Sequence, residues 1–281
     1  MCQDFVPSKQ PGMRRRECLA QLALAAFALP TAVDAAPENG AGKLIRLVAA
    51  SDLKFALAHV LKPFEKETGY RVEASFGSSG NFTRQLLQGL PADLFMSADE
   101  GFVYQLADAG QTRRIASAAG AVADRGALYA LGRIALYVPA SSSITLDEGL
   151  QGLKAQWAKV DKFAIANPEH APYGRAAREA LQSLGLWEMV QPKLVLGENI
   201  AQTTQFVSTG AAQAGITALA LALAPEVARV GRHVLLPDSL HTPLRQRMVL
   251  LKGASPAAVA LYDYLQSAAA RQAMKAFGFS S

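Results

Sequence analysis

Short apolar runs alternate along this chain with polar turns and with stretches of helical spacing. Residues 44–50 form a β-branched, mostly apolar run that ends in small residues, as a buried strand of a parallel sheet does. Ser51-Asp52 follows. Over 53–68 the apolar residues Leu53, Ala56, Leu57, Val60, Leu61 and Phe64 recur at helical spacing, and Gly69 ends the helix. The unit then repeats, with a strand over 71–76, the turn Gly77-Ser78-Ser79-Gly80 and a helix over 81–88. A strand over 94–96 leads into Ser97-Ala98-Asp99-Glu100, a helix start with acids in its first turn. Strand, polar turn and helix in succession predict an α/β fold with a doubly wound, mostly parallel sheet.

From Ala127 the pattern begins again. Residues 130–138 read as one apolar strand stopped by Pro139, and 163–166 as a strand leading into Asn167-Pro168-Glu169-His170-Ala171-Pro172-Tyr173-Gly174 and a helix over 175–184. A strand over 193–196 precedes Gly197-Glu198-Asn199-Ile200 and a helix to Val207. Residues 215–219 are a further short strand, 233–236 and 247–251 read as strands returning to the first half, and 256–277 is an amphipathic helical close.

The first 35 residues differ from the rest. Arg14, Arg15 and Arg16 form a positive start, Leu19 to Ala28 an apolar run, and Val33-Asp34-Ala35 a small-residue cleavage site, which together predict an export signal over 1–35 cleaved after Ala35. An apolar run of ten residues is half of what a bilayer span needs, about 20. Arg15-Arg16 is faintly like a twin-arginine signal, and Met13 is an alternative start. Residues 36–43 read as a flexible leader. Cys2 and Cys18 both fall in the segment to be removed, so an oxidising compartment would leave the mature chain untouched. With 1–35 gone the net charge of +5 becomes +4, because four Lys/Arg and three Asp/Glu leave with it. Mild basicity without a Lys/Arg run gives no case for a nucleic-acid partner and would help draw in an anion.

In open parallel sheets ligands bind at the turns beyond the carboxyl ends of the strands. Ala50-Ser51-Asp52, Gly77-Ser78-Ser79-Gly80, Pro172-Tyr173-Gly174 and Glu198-Asn199-Ile200 are such turns, and each opens a helix whose free N–H groups suit an anion. Ser, Asp and Asn are also ordinary helix caps, which is the competing reading of each turn. Catalysis has little support. Neither Ser78 nor Ser79 has the flanking glycines of a nucleophile elbow, and His59, His170, His233 and His241 fall in no pairing with a Ser and an acid. Metal-ligand spacing and a phosphate-loop lysine are also missing from the sequence.

Taken in order, Val48-Ala49-Ala50-Ser51-Asp52-Leu53, Ser75-Phe76-Gly77-Ser78-Ser79-Gly80, Pro91-Ala92-Asp93-Leu94-Phe95-Met96-Ser97-Ala98-Asp99, Asn167 to Gly174 and Gly197 to Ile200 resemble the periplasmic molybdate-binding proteins of ABC importers. The resemblance covers nearly the whole mature chain, from about Leu44 to Phe279. It implies a two-lobed periplasmic-binding-protein clamshell with the chain crossing between lobes, 44–126 and 223–281 forming the first and 127–222 the second. It implies a receptor for molybdate, and also tungstate, held as an oxyanion by neutral donors without direct metal ligands. On the matching positions, Ser51 and Ser79 would donate from hydroxyl and backbone, and Tyr173 and Ile200 from backbone N–H. Asp52, Ser78 and Asn199 are additional candidates. The expected protein is a periplasmic monomer, not an enzyme, needing no cofactor and partnered by permease subunits with their ATPase. Two departures from the family stand out. Ala218 replaces a tyrosine donor, for which the Tyr173 phenol could substitute. Asp52 puts a carboxylate beside the anion turn, read here as a helix cap or else as the acceptor for a protonated oxyanion such as phosphate. A receptor for phosphate or sulfate, and a cleft enzyme on an anionic substrate, are the alternatives.

Overall fold

The computed structural model describes residues 44–116 and 122–280. The export signal and leader expected over 1–43 lie outside them. In chain order the strands are β1 (Leu44–Ala50), β2 (Arg71–Gly77), β3 (Leu94–Ser97), β4 (Ile115–Ala116), β5 (Val122–Ala123), β6 (Ala127–Gly132), β7 (Ile134–Pro139), β8 (Phe163–Ala166), β9 (Leu194–Gly197), β10 (Ala214–Ala218), β11 (Gly231–Leu235) and β12 (Leu244–Leu250). The helices are α1 (Lys54–Thr68), α2 (Ser79–Leu87), α3 (Glu100–Asp108), α4 (Gln151–Ala155), α5 (Pro172–Ser183), α6 (Trp187–Val190), α7 (Ile200–Ser208), α8 (Leu219–Ala222), α9 (Pro225–Ala228), α10 (Pro256–Leu265) and α11 (Ala268–Ala276).

Two five-stranded sheets carry two lobes, in the orders β2-β1-β3-β12-β6 and β11-β7-β10-β8-β9. In the first, β2, β1 and β3 run parallel, and β12 runs against both β3 and β6. In the second, β10, β8 and β9 run parallel, and β7 runs against both β10 and β11. The parallel half of each sheet is the strand-turn-helix repeat read from the sequence, and the antiparallel half is the pair of strands that carries the crossings.

Those crossings fall differently from the expected lobe boundaries. Residues 130–138 are two strands: β6 belongs to the first sheet and β7 to the second, with Arg133 alone between them. The Arg133 carbonyl accepts from Leu219 N–H at 2.8 Å, and its guanidinium pairs with Asp238. Residues 231–235 likewise lie in the second sheet, not the first. Their strand pairs along β7, the Tyr137 hydroxyl donates to Val227 O at 2.8 Å, and Gly231 leaves room for the Tyr137 ring, which a Cβ would meet at 2.2 Å. The second lobe is therefore built on 134–235, and the chain returns to the first between Leu235 and Leu244.

Each lobe has its own core. Ile45, Leu47, Ala49, Leu57, Phe64, Leu261 and Met274 pack the first beneath α1, α10 and α11. Ile134, Leu136, Phe163, Ile165, Ala177, Leu181 and Ile216 pack the second. Gly69 closes α1 at φ +70°, a left-handed position that glycine adopts without strain. No helix among the described residues is long and apolar enough to cross a membrane.

Candidate functional site

The four turns singled out in the sequence stand at the carboxyl ends of β1, β2, β8 and β9, and the structure brings them together across the cleft. Ser51, Asp52, Ser78 and Ser79 from the first lobe and Pro172, Tyr173 and Ile200 from the second line one cavity of about 10 Å³, with Ala50, Gly77, Ala98 and Ala171 as its small-residue walls. Organic ligands take pockets of roughly 300–1,000 Å³. This one suits a compact inorganic ion. No Lys, Arg or His is among its lining residues.

Three helices point their first turns at the cavity. In α2, Ser78 is the N-cap, its Oγ accepting from Asn81 N–H at 3.3 Å, so that Ser79 is the first helical residue. In α7, Asn199 caps through Gln202 N–H at 3.1 Å and Ile200 comes first. In α5, Pro172 opens the helix, which its fixed φ and missing N–H favour, and Tyr173 follows. None of the three has an acid in its first turn. The positive ends of their dipoles are thus left uncompensated at one place. Among the described residues no acceptor faces the backbone N–H of Ser79, Tyr173 or Ile200.

The two serine hydroxyls are oriented by backbone donors. Ser79 Oγ accepts from Ala98 N–H at 3.0 Å, and Ser51 Oγ accepts from Ala201 N–H at 3.2 Å. With each oxygen engaged as an acceptor, each hydroxyl proton is free to be donated. Ser51, Ser79, Tyr173 and Ile200 are all at most 2% exposed. The arrangement therefore presents a buried cluster of uncharged donors.

The additional candidates separate. Ser78 lines the cavity, but its oxygen is shared between the α2 cap and a 2.9 Å contact with His170 Nδ1. Asn199 caps α7 and faces a neighbouring groove with Lys54 and Phe55. Asp52 is not a helix cap: no side chain caps α1 or the 3-10 turn Ser51–Leu53 before it. Its Oδ2 accepts instead from the Tyr173 hydroxyl at 2.9 Å and from Gln246 Nε2 at 2.7 Å, and Gln246 Nε2 also reaches the Tyr173 oxygen at 2.9 Å. The Tyr173 phenol is thus committed to Asp52 and does not stand in for the donor that Ala218, fully buried at the end of β10, lacks.

Burial pushes the Asp52 carboxyl up to about 6, against the lowering effect of the bonds from Gln246 and Tyr173. Its own N–H and that of Leu53 also act on it, but Oδ1 is buried with no partner in hydrogen-bond geometry. Burial and the neighbouring Asp52 hold the Tyr173 hydroxyl well above its ordinary range.

Several of these contacts tie one lobe to the other. To Ser51–Ala201 and Asp52–Tyr173 are added Gly80 N–H donating to His170 O at 3.0 Å and an ion pair between Asp99 and Arg175. Gly80 lies so close to the second lobe that a Cβ there would meet His170 O at 2.7 Å. Gln246 escaped the sequence reading. It holds an inward position of β12 between the buried Leu244 and Met248, and a polar residue in that register is the signal that marks it.

The sequence profile of the bacterial extracellular solute-binding proteins matches residues 45–280. The molybdate-binding protein ModA of Azotobacter vinelandii is 37% identical over 250 residues, covering 85% of this chain and 94% of its own. That of Rhodobacter capsulatus is 33% identical over 256 residues, covering 90% and 94%. The solved structure of the Azotobacter vinelandii periplasmic molybdate-binding protein superposes with a TM-score of 0.72 at 27% identity, covering 84% of this chain and 99% of that one. With two lobes, a cleft between strand-to-helix turns and relatives matched end to end, the chain belongs to the bacterial extracellular solute-binding family and stands among its ModA-type members.

Proposed function

We propose that the protein captures molybdate, and tungstate with it, outside the inner membrane and delivers it to an ABC permease driven by an ATPase. One observation supports the reading: Ser51, Ser79, Tyr173 and Ile200, whose hydroxyl protons (Ser51, Ser79) and backbone N–H groups (Ser79, Tyr173, Ile200) are left without acceptors among the described residues, line one small cavity that no cation lines. A fully deprotonated tetrahedral dianion accepts hydrogen bonds and offers none. Neutral donors satisfy it without the desolvation of a buried counter-charge. The names of the relatives, all molybdate-binding proteins at 31% identity or more, agree with this chemistry. Donors from both lobes meet only when the cleft is shut, so capture proceeds by hinge closure about Arg133 and the 235–244 segment. The anion is cargo and no cofactor is needed. The receptor acts as a monomer, exported with cleavage near Ala35.

A second reading has one observation in its favour. The Asp52 carboxylate could accept the proton that hydrogen phosphate keeps near neutral pH. A thermal-shift panel with molybdate, tungstate, sulfate and phosphate decides between them, because a ligand of the folded state raises Tm by mass action. Molybdate and tungstate are expected to give the large shifts. A larger shift with phosphate or sulfate overturns the assignment, and turnover of an added anionic ester would make the protein an enzyme.

A further inference from the structure

The strongest unexplained feature of the site is a buried carboxylate on the wall of a cavity meant for a dianion. Asp52 is 1% exposed and lines the cavity. Both side-chain donors that reach it, the Tyr173 hydroxyl and the Gln246 amide, go to Oδ2, while Oδ1 is buried with no partner in hydrogen-bond geometry although the N–H groups of Asp52 and Leu53 lie near the carboxyl. Apart from the N-terminal dipole ends of α2, α5 and α7, no positive group lines the cavity beside it. On β6 the facing group is the buried Tyr129 hydroxyl, on β12 the Gln246 amide and on α5 the Tyr173 hydroxyl. Neither α7 nor α8 contains an ionisable residue. The near end of β2 offers Phe76 and Gly77. The first residue of α1, Lys54, is exposed. At the rim, Arg175 is taken by Asp99, and His170 contacts Ser78 and Glu198. Two negative groups facing each other in a buried cavity repel strongly, and the usual resolution is that one of them binds a proton.

We propose that Asp52 is the proton acceptor that accompanies the anion: for each dianion enclosed, the receptor takes one proton from solvent, and Asp52 enters the closed complex as a neutral acid. The balance is simple, since Asp52 carboxylate, one proton and the dianion combine, no bond to the metal oxide forms or breaks, and opening returns all three. As an acid, the carboxyl gains an O–H donor for its buried face, adding to the neutral donor set instead of opposing it. The inference rests on the oxyanion reading above and sharpens it, because an anion that brings its own proton would need none from solvent. The raised affinity of this carboxyl for protons, near 6 before any anion arrives, agrees with the geometry. Above that pH the free site is ionised, and the affinity should fall about tenfold per pH unit while the anion itself stays fully deprotonated.

The test is titration calorimetry of the mature protein with sodium molybdate at pH 7.5 in PIPES and in Tris, buffers of different ionisation enthalpy, followed by affinities from pH 7.0 to 8.5. The expected result is uptake of close to one proton per anion and a fall in affinity of about 30-fold across that range. Asp52→Asn, with a neutral side chain of the same shape, should take up no proton, bind with nearly flat pH dependence, and bind more tightly than the wild type at pH 8.5. Any slope due to His170 would persist in that variant and so be separated. Wild-type binding with no proton uptake and flat affinity overturns the proposal and leaves the molybdate assignment standing. If neither molybdate nor tungstate binds at any pH, both fall. Should Asp52→Asn fail to fold, the wild-type proton count alone decides.

Discussion

Gly80 offers the most direct test of whether this site works by closure. Its N–H donates across the cleft to His170 O, and a Cβ in its place would lie 2.7 Å from that oxygen and 3.0 Å from His170 Cα. Both are backbone atoms of the other lobe, so no rotamer change relieves the contact, and in Gly80→Ala the lobes must stay apart. Overpacking of this kind costs about 1–3 kcal/mol, and losing the hydrogen bond adds about 0.5–1.5 kcal/mol. A total of about 1.5–4.5 kcal/mol, borne by the closed form alone, weakens molybdate binding by roughly 12- to 1,600-fold. In the open form the same change only replaces Gly by Ala in the first turn of α2, which favours the helix by up to about 1 kcal/mol. Calorimetric affinity and the Tm of the unliganded protein, measured side by side, separate the two states. Wild-type affinity in Gly80→Ala would refute the closure argument. So would a fall of several degrees in unliganded Tm, which would make Gly80 a residue of the fold and not of the closed interface.

Ser51→Ala and Ser79→Ala each remove a hydroxyl aimed by a backbone N–H, and each should weaken molybdate binding by roughly 10- to 150-fold, the range for a hydrogen bond to a charged acceptor. They should differ without ligand, because Ser79 serves Ala98 in its own lobe whereas Ser51 serves Ala201 across the cleft. Thermal unfolding should show a lowered Tm for Ser79→Ala alone, and equal losses in both would count against the assignment. Asp52 gives a pH dependence of stability in the unliganded protein. Its folded value of about 6 lies above the ordinary 3.8. The fold therefore gains from this carboxyl at low pH and loses that gain as pH rises through about 6, by about 3 kcal/mol in all. Asp52→Asn should accordingly match the wild type in Tm near pH 4 and exceed it by several degrees above pH 7. A gap that closes with rising pH would reverse the sign and refute the account.

What the sequence revealed followed from local signals. The small-residue ends of β1 and β2, the cap residues Ser78 and Asn199 and the Pro at the start of α5 are written within a few positions of the turns they build, so the four cleft corners were legible. Even there the helices begin earlier than their apolar periodicity suggests: α5 starts at Pro172, not Arg175, which turns Pro172-Tyr173-Gly174 from a loop into a helix start and aims the Tyr173 N–H. The break at Arg133 was not legible. Apolar residues continue on both sides of it, and what ends β6 and starts β7 is pairing with β12 on one side and with β10 and β11 on the other. Residues 233–236 failed for the same reason, since strand propensity says that a segment pairs and not with which sheet. The single helical close likewise divides into α10 and α11 where Ser267 caps the second, although the apolar periodicity runs on through it. The role of Asp52 depends on Gln246, 194 positions away, and no local pattern relates the two.

The absence of a cation from the cavity wall connects these findings. An Arg or Lys at one corner would hold an anion to a single lobe and attract sulfate and phosphate as readily as a larger oxyanion. N–H and O–H groups are individually weak by comparison and act only in a cluster, and no one lobe provides the cluster. Ser51 and Ser79 come with the first lobe, Tyr173 and Ile200 with the second, and even the orientation of Ser51 depends on Ala201 across the cleft. Affinity then comes from bringing the halves together, and contacts such as Gly80 to His170 and Asp99 to Arg175 form only as the cleft shuts. Asp52 sits at the junction of the two halves, since its partners are Tyr173 from one and Gln246 from the other. On the proposal above, a carboxylate there accepts the Tyr173 bond across the cleft but repels an enclosed dianion until it takes up a proton. Lower pH would then favour capture, and return of the proton would favour release.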